Sequence, residues 1–108
     1  MGRYDFPPEV RQRIKERDGG CIFCQMFGSS GYPPTQIMHY IPRSHQGLGV
    51  EQNGAWGCVY HHQELDNGIN SEPYKRMFRE YLESKYEDFD VSKLMYSKWR
   101  YLDEQFNS

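Results

Sequence analysis

The residues of this chain best suited to chemistry are its three cysteines and four histidines, and they are not scattered. Cys21-Ile22-Phe23-Cys24 sets two thiols three positions apart, and a two-residue spacer lets the backbone curl so that both sulfurs point at one ion. Cys58-Val59-Tyr60-His61 repeats the spacing with a thiol and an imidazole, and His62 follows at once. Taken alone, the first pair would also suit a thioredoxin-like redox couple or two buried cysteines. The redox alternative calls for a βαβ context and a helix opening directly after the first cysteine. Gly19-Gly20 before the pair and Gln25 to Ser29 after it predict a loop rather than such a helix. Two pairs together predict a structural zinc ion held by Cys21, Cys24, Cys58 and His61. A site of that kind contributes on the order of 10 kcal/mol to folding, comparable to the whole stability of a small domain.

Helical geometry alone does not choose the fourth ligand, because Cys58 shares a face with His61 three residues on and with His62 four residues on. Adjacent residues point about 100° apart, so the two imidazoles cannot readily serve one ion. His62 falls in line with Asp66 and His61 with Leu65. That favours His61 on zinc and leaves His62 and Asp66 for a second, solvent-facing site.

The elements that must carry these residues can be read from punctuation and periodicity. Pro7-Pro8 opens a helix that pairs Val10 with Ile14, exposes Arg11, Arg13, Lys15 and Arg17, and stops at Gly19-Gly20. A strand is expected over Gln36-Ile41, a compact loop from Pro42 to Gln52 bounded by Asn53, and a short extended piece at Gly54-Gly57. Helical pattern returns near Cys58 and ends at Asn67-Gly68. Ser71 can cap a further helix reaching about Tyr86, with Tyr74, Met77, Phe78, Tyr81 and Leu82 on one stripe. A last helix is expected after Asp90, its stripe being Val91, Leu94, Met95, Trp99, Leu102 and Phe106. Both stripes read as core packing.

At 108 residues and 37% hydrophobic content the chain suggests one small domain with a thin core. No apolar run approaches the ~20 residues of a membrane span, and the first residues have no apolar secretory segment, so a soluble, intracellular, cytoplasmic protein is expected. The net charge of −2 excludes a uniformly basic nucleic-acid binder. The charge is uneven, however: residues 1–50 carry six Lys/Arg against four acids, and residues 51–108 carry seven against eleven. A basic half is compatible with phosphate contact by one face.

In order and spacing, Cys21-x-x-Cys24, the strand end Met38-His39-Tyr40-Ile41-Pro42-Arg43-Ser44, the Gly47-Leu48-Gly49 loop leading to Asn53, and Cys58-x-x-His61-His62 through Asp66-Asn67-Gly68 resemble the HNH endonuclease family. They are similar in particular to its small zinc-containing members from phages and mobile elements. The resemblance spans roughly residues 9–68. It implies an α+β fold, a zinc-stapled ββα-metal (His-Me finger) core, with an N-terminal helix and, over residues 69–108, a two-helix extension.

It also implies roles. His39 corresponds to the general base, for which an imidazole that is largely neutral at pH 7 is suited. Asn53 corresponds to the family's middle asparagine, holding loop and histidine in register or approaching the metal. His62 corresponds to a ligand of one catalytic divalent ion, with Asp66 as a candidate second ligand for magnesium, manganese or a transition metal. The expected activity is metal-dependent hydrolysis of DNA phosphodiester bonds, as an endonuclease or nickase, with DNA contacts from Arg43, Lys15 and Arg17. Two positions depart from the family pattern. Met38 stands where many members carry a metal-binding Asp, Glu or His, and His61 replaces a fourth zinc cysteine. The first departure motivates an alternative, a zinc-scaffolded module that binds nucleic acid or protein without cutting. A basic cluster at Lys75, Arg76 and Arg79 adds a second candidate phosphate surface, His45 reads as polar loop surface, and the aromatic C-terminal helices could pair in a homodimer.

Overall fold

The computed structural model describes residues 2–28 and 32–97. Among these residues there are four α-helices and a two-stranded antiparallel sheet: α1 (Pro8–Asp18), α2 (Ile22–Phe27), β1 (Gln36–His39), β2 (Gly54–Gly57), α3 (Val59–Asn67) and α4 (Ser71–Lys85). Short 3-10 turns sit at Arg43–His45, Glu51–Asn53 and Val91–Leu94. It is a small α+β arrangement. Among the described residues no helix is long and apolar enough to cross a membrane.

Antiparallel pairing sets Ile37 opposite Trp56, Met38 opposite Ala55 and His39 opposite Gly54. Because side chains alternate across a strand, the sheet has two different faces. On one, Met38 and Ala55 are 0% exposed and join Cys21, Ile22, Phe23, Cys24, Cys58, Leu65, Tyr74, Phe78 and Leu82 in the main core. On the other, Ile37 packs against Phe6, Val10 and Ile14 at the start of the chain and on α1. Gly54 is required there: a Cβ would lie 2.8 Å from both the Ile14 side chain and the Phe6 ring.

Charge also fastens α1 to the sheet. Asp18 is buried at the helix end, where its carboxylate accepts from Arg17 Nε at 2.6 Å and from the backbone N–H of Trp56 at 2.8 Å, and it also takes the Tyr81 hydroxyl. Arg17 donates further to the carbonyls of Gly54 at 2.6 Å and Glu51 at 3.2 Å and to the Tyr86 hydroxyl at 2.9 Å. An acid at a helix C-terminus opposes the helix dipole. Here the tertiary partners outweigh that penalty, and they tie α1, β2 and α4 into one unit.

Several expectations are corrected. A helix, α2, does open directly after Cys21, with the Cys21 sulfur itself accepting the Cys24 backbone N–H at 3.4 Å. Ile22–Phe27 is only six residues long, too short for its periodicity to register in the sequence. The first strand ends at His39, since Tyr40 and Ile41 turn into the loop. Asn70 rather than Ser71 precedes α4, and its side chain caps nothing. After Asp90 the chain forms a single 3-10 turn and then pairs Met95 with Gly47 in an isolated bridge, so Val91, Leu94 and Met95 do not lie on one α-helix. Trp99, Leu102 and Phe106 lie outside the described residues.

Candidate metal centre and adjoining cleft

The four predicted zinc ligands converge. His61 Nδ1 lies 3.7 Å from Cys21 Sγ, 3.4 Å from Cys24 Sγ and 3.3 Å from Cys58 Sγ, and Cys24 Sγ lies 3.8 Å from Cys58 Sγ. Tetrahedral coordination with Zn–S of about 2.3 Å and Zn–N of about 2.0 Å requires S···N spacings of about 3.5 Å and S···S spacings of about 3.8 Å. The donor set fits a metal ion and is compatible with zinc. All four residues are buried.

Local structure explains the convergence. Cys21 and Cys58 each precede a helix, and each sulfur accepts the backbone N–H three residues on, Cys24 or His61, at 3.4 Å. The same geometry that caps each helix brings the second ligand of each pair beside the first. A thiolate at a helix N-terminus is also favoured by the dipole. Phe23, Phe27, Tyr60 and Tyr74 surround the His61 ring, with centroids at 5.1 to 5.9 Å. Burial lowers the His61 pKa, which keeps the imidazole in its neutral, ligating form. Burial pushes the Cys21 thiol up to about 11. A metal-free Cys21 would thus be a protonated, weakly nucleophilic thiol, unlike the attacking cysteine of a redox pair.

His62 faces away from this cluster. Its Nε2 lies 3.0 Å from Asp66 Oδ2, as the four-residue spacing predicts, and its Nδ1 meets Gln36 Oε1. A recess of about 340 Å³ is lined by Ile37, His39, Pro42, Arg43, Ser44, His62 and Asp66. Strand, loop and helix thus deliver His39, Arg43, His62 and Asp66 to one place. A second recess, of about 610 Å³, shares Ile37, His39 and Arg43 and adds Asp5, Phe6 and Arg11.

His39 is held by the start of the chain. Its Nε2 is 2.8 Å from the Tyr4 carbonyl oxygen, and its ring lies 4.3 Å from the Phe6 ring. A carbonyl can only accept, so Nε2 carries the proton and Nδ1 is left with a lone pair. Burial lowers the His39 pKa, opposed by the Tyr4 carbonyl and reinforced by the Arg43 charge. Asn53 is 0% exposed. Its Oδ1 accepts from Ile41 N–H at 2.8 Å while Nδ2 donates to the carbonyls of Ile41 at 3.2 Å and Leu48 at 2.9 Å. These bonds pin the loop that follows His39.

The remaining predictions divide. Met38 points into the main core and lines neither recess, so its side chain presents no ligand to the cleft. Arg43 is exposed at the recess and pairs with Asp5 at 2.8 Å. Lys15 is exposed, its ammonium 5.7 Å from the Trp56 ring centroid. Arg17 is corrected: only 12% of its side chain is exposed, and its guanidinium is turned inward onto Asp18 and backbone carbonyls. Lys75 and Arg79 are matched by Glu72 and Glu83 on their own helix. Sequence reasoning missed the Tyr4 carbonyl, Phe6 and Asp5, for which there was no signal, and Asp18, for which an acid beside Gly19-Gly20 at a helix end was a usable one. No protein-family model and no curated protein matches this sequence.

Proposed function

We propose that this chain is a metal-dependent endonuclease or nickase of the HNH type, acting on DNA phosphodiester bonds through a ββα-metal core stapled by zinc. The observation that carries the reading is the single recess lined by His39, His62, Asp66 and Arg43. His39 takes a proton from the attacking water at Nδ1, the nitrogen freed by the Tyr4 carbonyl. Arg43 exchanges Asp5 for a phosphate oxygen and orients the substrate. The imidazole of His62 and the carboxylate of Asp66 suit a hard or borderline divalent ion, which when bound stabilises negative charge on the phosphate and the leaving 3'-oxygen. With Met38 in the core, these two side chains are the ligands on offer, and water would complete the shell, as magnesium and manganese tolerate.

Plasmid nicking by purified protein across magnesium, manganese and transition metals tests this. His39→Ala should keep its zinc and lose about 10²–10⁴-fold in rate. Cleavage at the wild-type rate by that variant would remove His39 from its role. One observation favours the non-cutting alternative: both nitrogens of His62 already face protein oxygens, Gln36 and Asp66. DNA binding without cleavage in every metal would establish that alternative instead.

A further inference from the structure

The basic residues of α1 sort into two kinds. Arg13 is tied to Glu51 at 2.8 Å and Arg17 is turned inward. Arg11 and Lys15, one turn apart on the same helix face, are exposed and have no carboxylate partner among the described residues. Arg11 lines the larger recess together with His39 and Arg43. Lys15 continues the line away from the recess, above Trp56. Elsewhere on the described surface, Lys75, Arg79 and Arg13 each have an acid within 4.0 Å, whereas Arg76, Lys85 and Lys93 are exposed without one but line neither recess with His39.

We propose that Arg11 and Lys15 form, with Arg43, a track for the sugar-phosphate backbone on one side of the bond to be cut. The two recesses then differ in what they hold. The one with His62 and Asp66 receives the scissile phosphate, and the one with Arg11 receives the phosphates that follow. Consecutive backbone phosphates carry one charge each, and unmatched cations on one helix face are the complement such a strand needs. Arg11 is the hinge of the proposal, since it alone links the cleft to α1. This rests on the reading of the cleft as a nucleic-acid site.

The test is the salt dependence of binding to a fluorescent DNA duplex, measured by anisotropy without added divalent ion so that nothing is cut, on protein with full zinc content. Each lost phosphate contact should lower the slope of log K against log salt by about 0.9, which is roughly an eight-fold loss of affinity near 0.1 M salt. Arg11→Ala and Lys15→Ala should each show this loss and the double variant should lose both, while Arg79→Ala, whose guanidinium pairs with Glu83, should match wild type. An unchanged slope in both α1 variants, with salt-dependent binding by wild type, would overturn the track and leave the cleft reading intact. No DNA binding by wild type at low salt would overturn both. Folding of the variants is checked by zinc content and circular dichroism.

Discussion

His39 Nε2 lies 2.8 Å from the carbonyl oxygen of Tyr4, so the ring that would abstract a proton is oriented by a backbone group thirty-five positions earlier in the chain. That short segment is itself held from several sides. The Gly49 N–H donates to Arg3 O at 2.9 Å, Asp5 pairs with Arg43, and Phe6 is buried. Gly49 admits the segment: a Cβ there would fall 1.9 Å from Asp5 O. The opening residues are therefore part of the cleft wall.

The first prediction concerns titration. The His39 pKa is lowered chiefly by burial, with Arg43 lowering it further and Asp5 raising it. A base must be neutral, so cleavage should rise with pH through a midpoint below the ordinary imidazole value and stay level above it. An NMR titration of the free protein should show the His39 midpoint moving up in Arg43→Ala and down in Asp5→Asn. Movement in the same direction for both would contradict the charge arrangement.

Zinc should be present at one ion per chain. Its removal by a strong chelator should abolish cooperative unfolding, because the four ligands sit inside the main core and an ion there is worth on the order of 10 kcal/mol. Cys58→Ser should bind zinc more weakly and melt lower. A chain that keeps its circular dichroism and melting transition with no metal would show that the apolar core suffices.

Met38→Asp introduces, just before His39, the residue type found there in many members of the family that the sequence resembles. The structure predicts the opposite of a repair. An aspartate there would be buried among Ala55, Cys58 and the α4 aromatics, with a cost of several kcal/mol in urea unfolding and no gain in cleavage. Met38→Leu should cost less than about 1.5 kcal/mol. Enhanced metal-dependent activity in the aspartate variant would show that position 38 reaches the cleft after all.

Asp18→Asn leaves Arg17 with a buried charge and no carboxylate. Breaking such a pair costs about 3–5 kcal/mol, to be read from the urea midpoint of zinc-saturated protein. Because the pair connects α1 to Trp56 and Tyr81, the loss should appear in global unfolding. A loss confined to local hydrogen exchange in α1 would mean that the helix docks without it.

What the sequence disclosed followed from local rules. The metal cluster was legible because a two-residue spacer is a backbone property, and His62 was separable from His61 because helix spacing aligned it with Asp66. The α4 stripe was legible for the same reason, and Tyr74, Phe78 and Leu82 are all buried. The failures are non-local. Arg17 looked like its exposed neighbours, and only the carbonyls of Glu51 and Gly54 and the Tyr86 hydroxyl, far away in the chain, turn it inward. Met38 looked like a defective ligand until the pairing with Ala55 decided which way it points. Nor could any spacing rule foresee a backbone carbonyl at Tyr4 as the partner of His39.

The alternation along β1 has one more implication, for how the chain avoids errors in assembly. Met38 and His39 are neighbours that belong in opposite media, one sealed beside the sulfur cluster and the other lining a wet recess. Sliding β1 by a single residue against β2 would exchange them, pressing an imidazole into the interior and presenting a thioether to water. Such a molecule would lose its packing together with the arrangement of its recess. A stably packed, register-shifted isomer therefore has no place to form, and a folded preparation should carry a single arrangement of that recess.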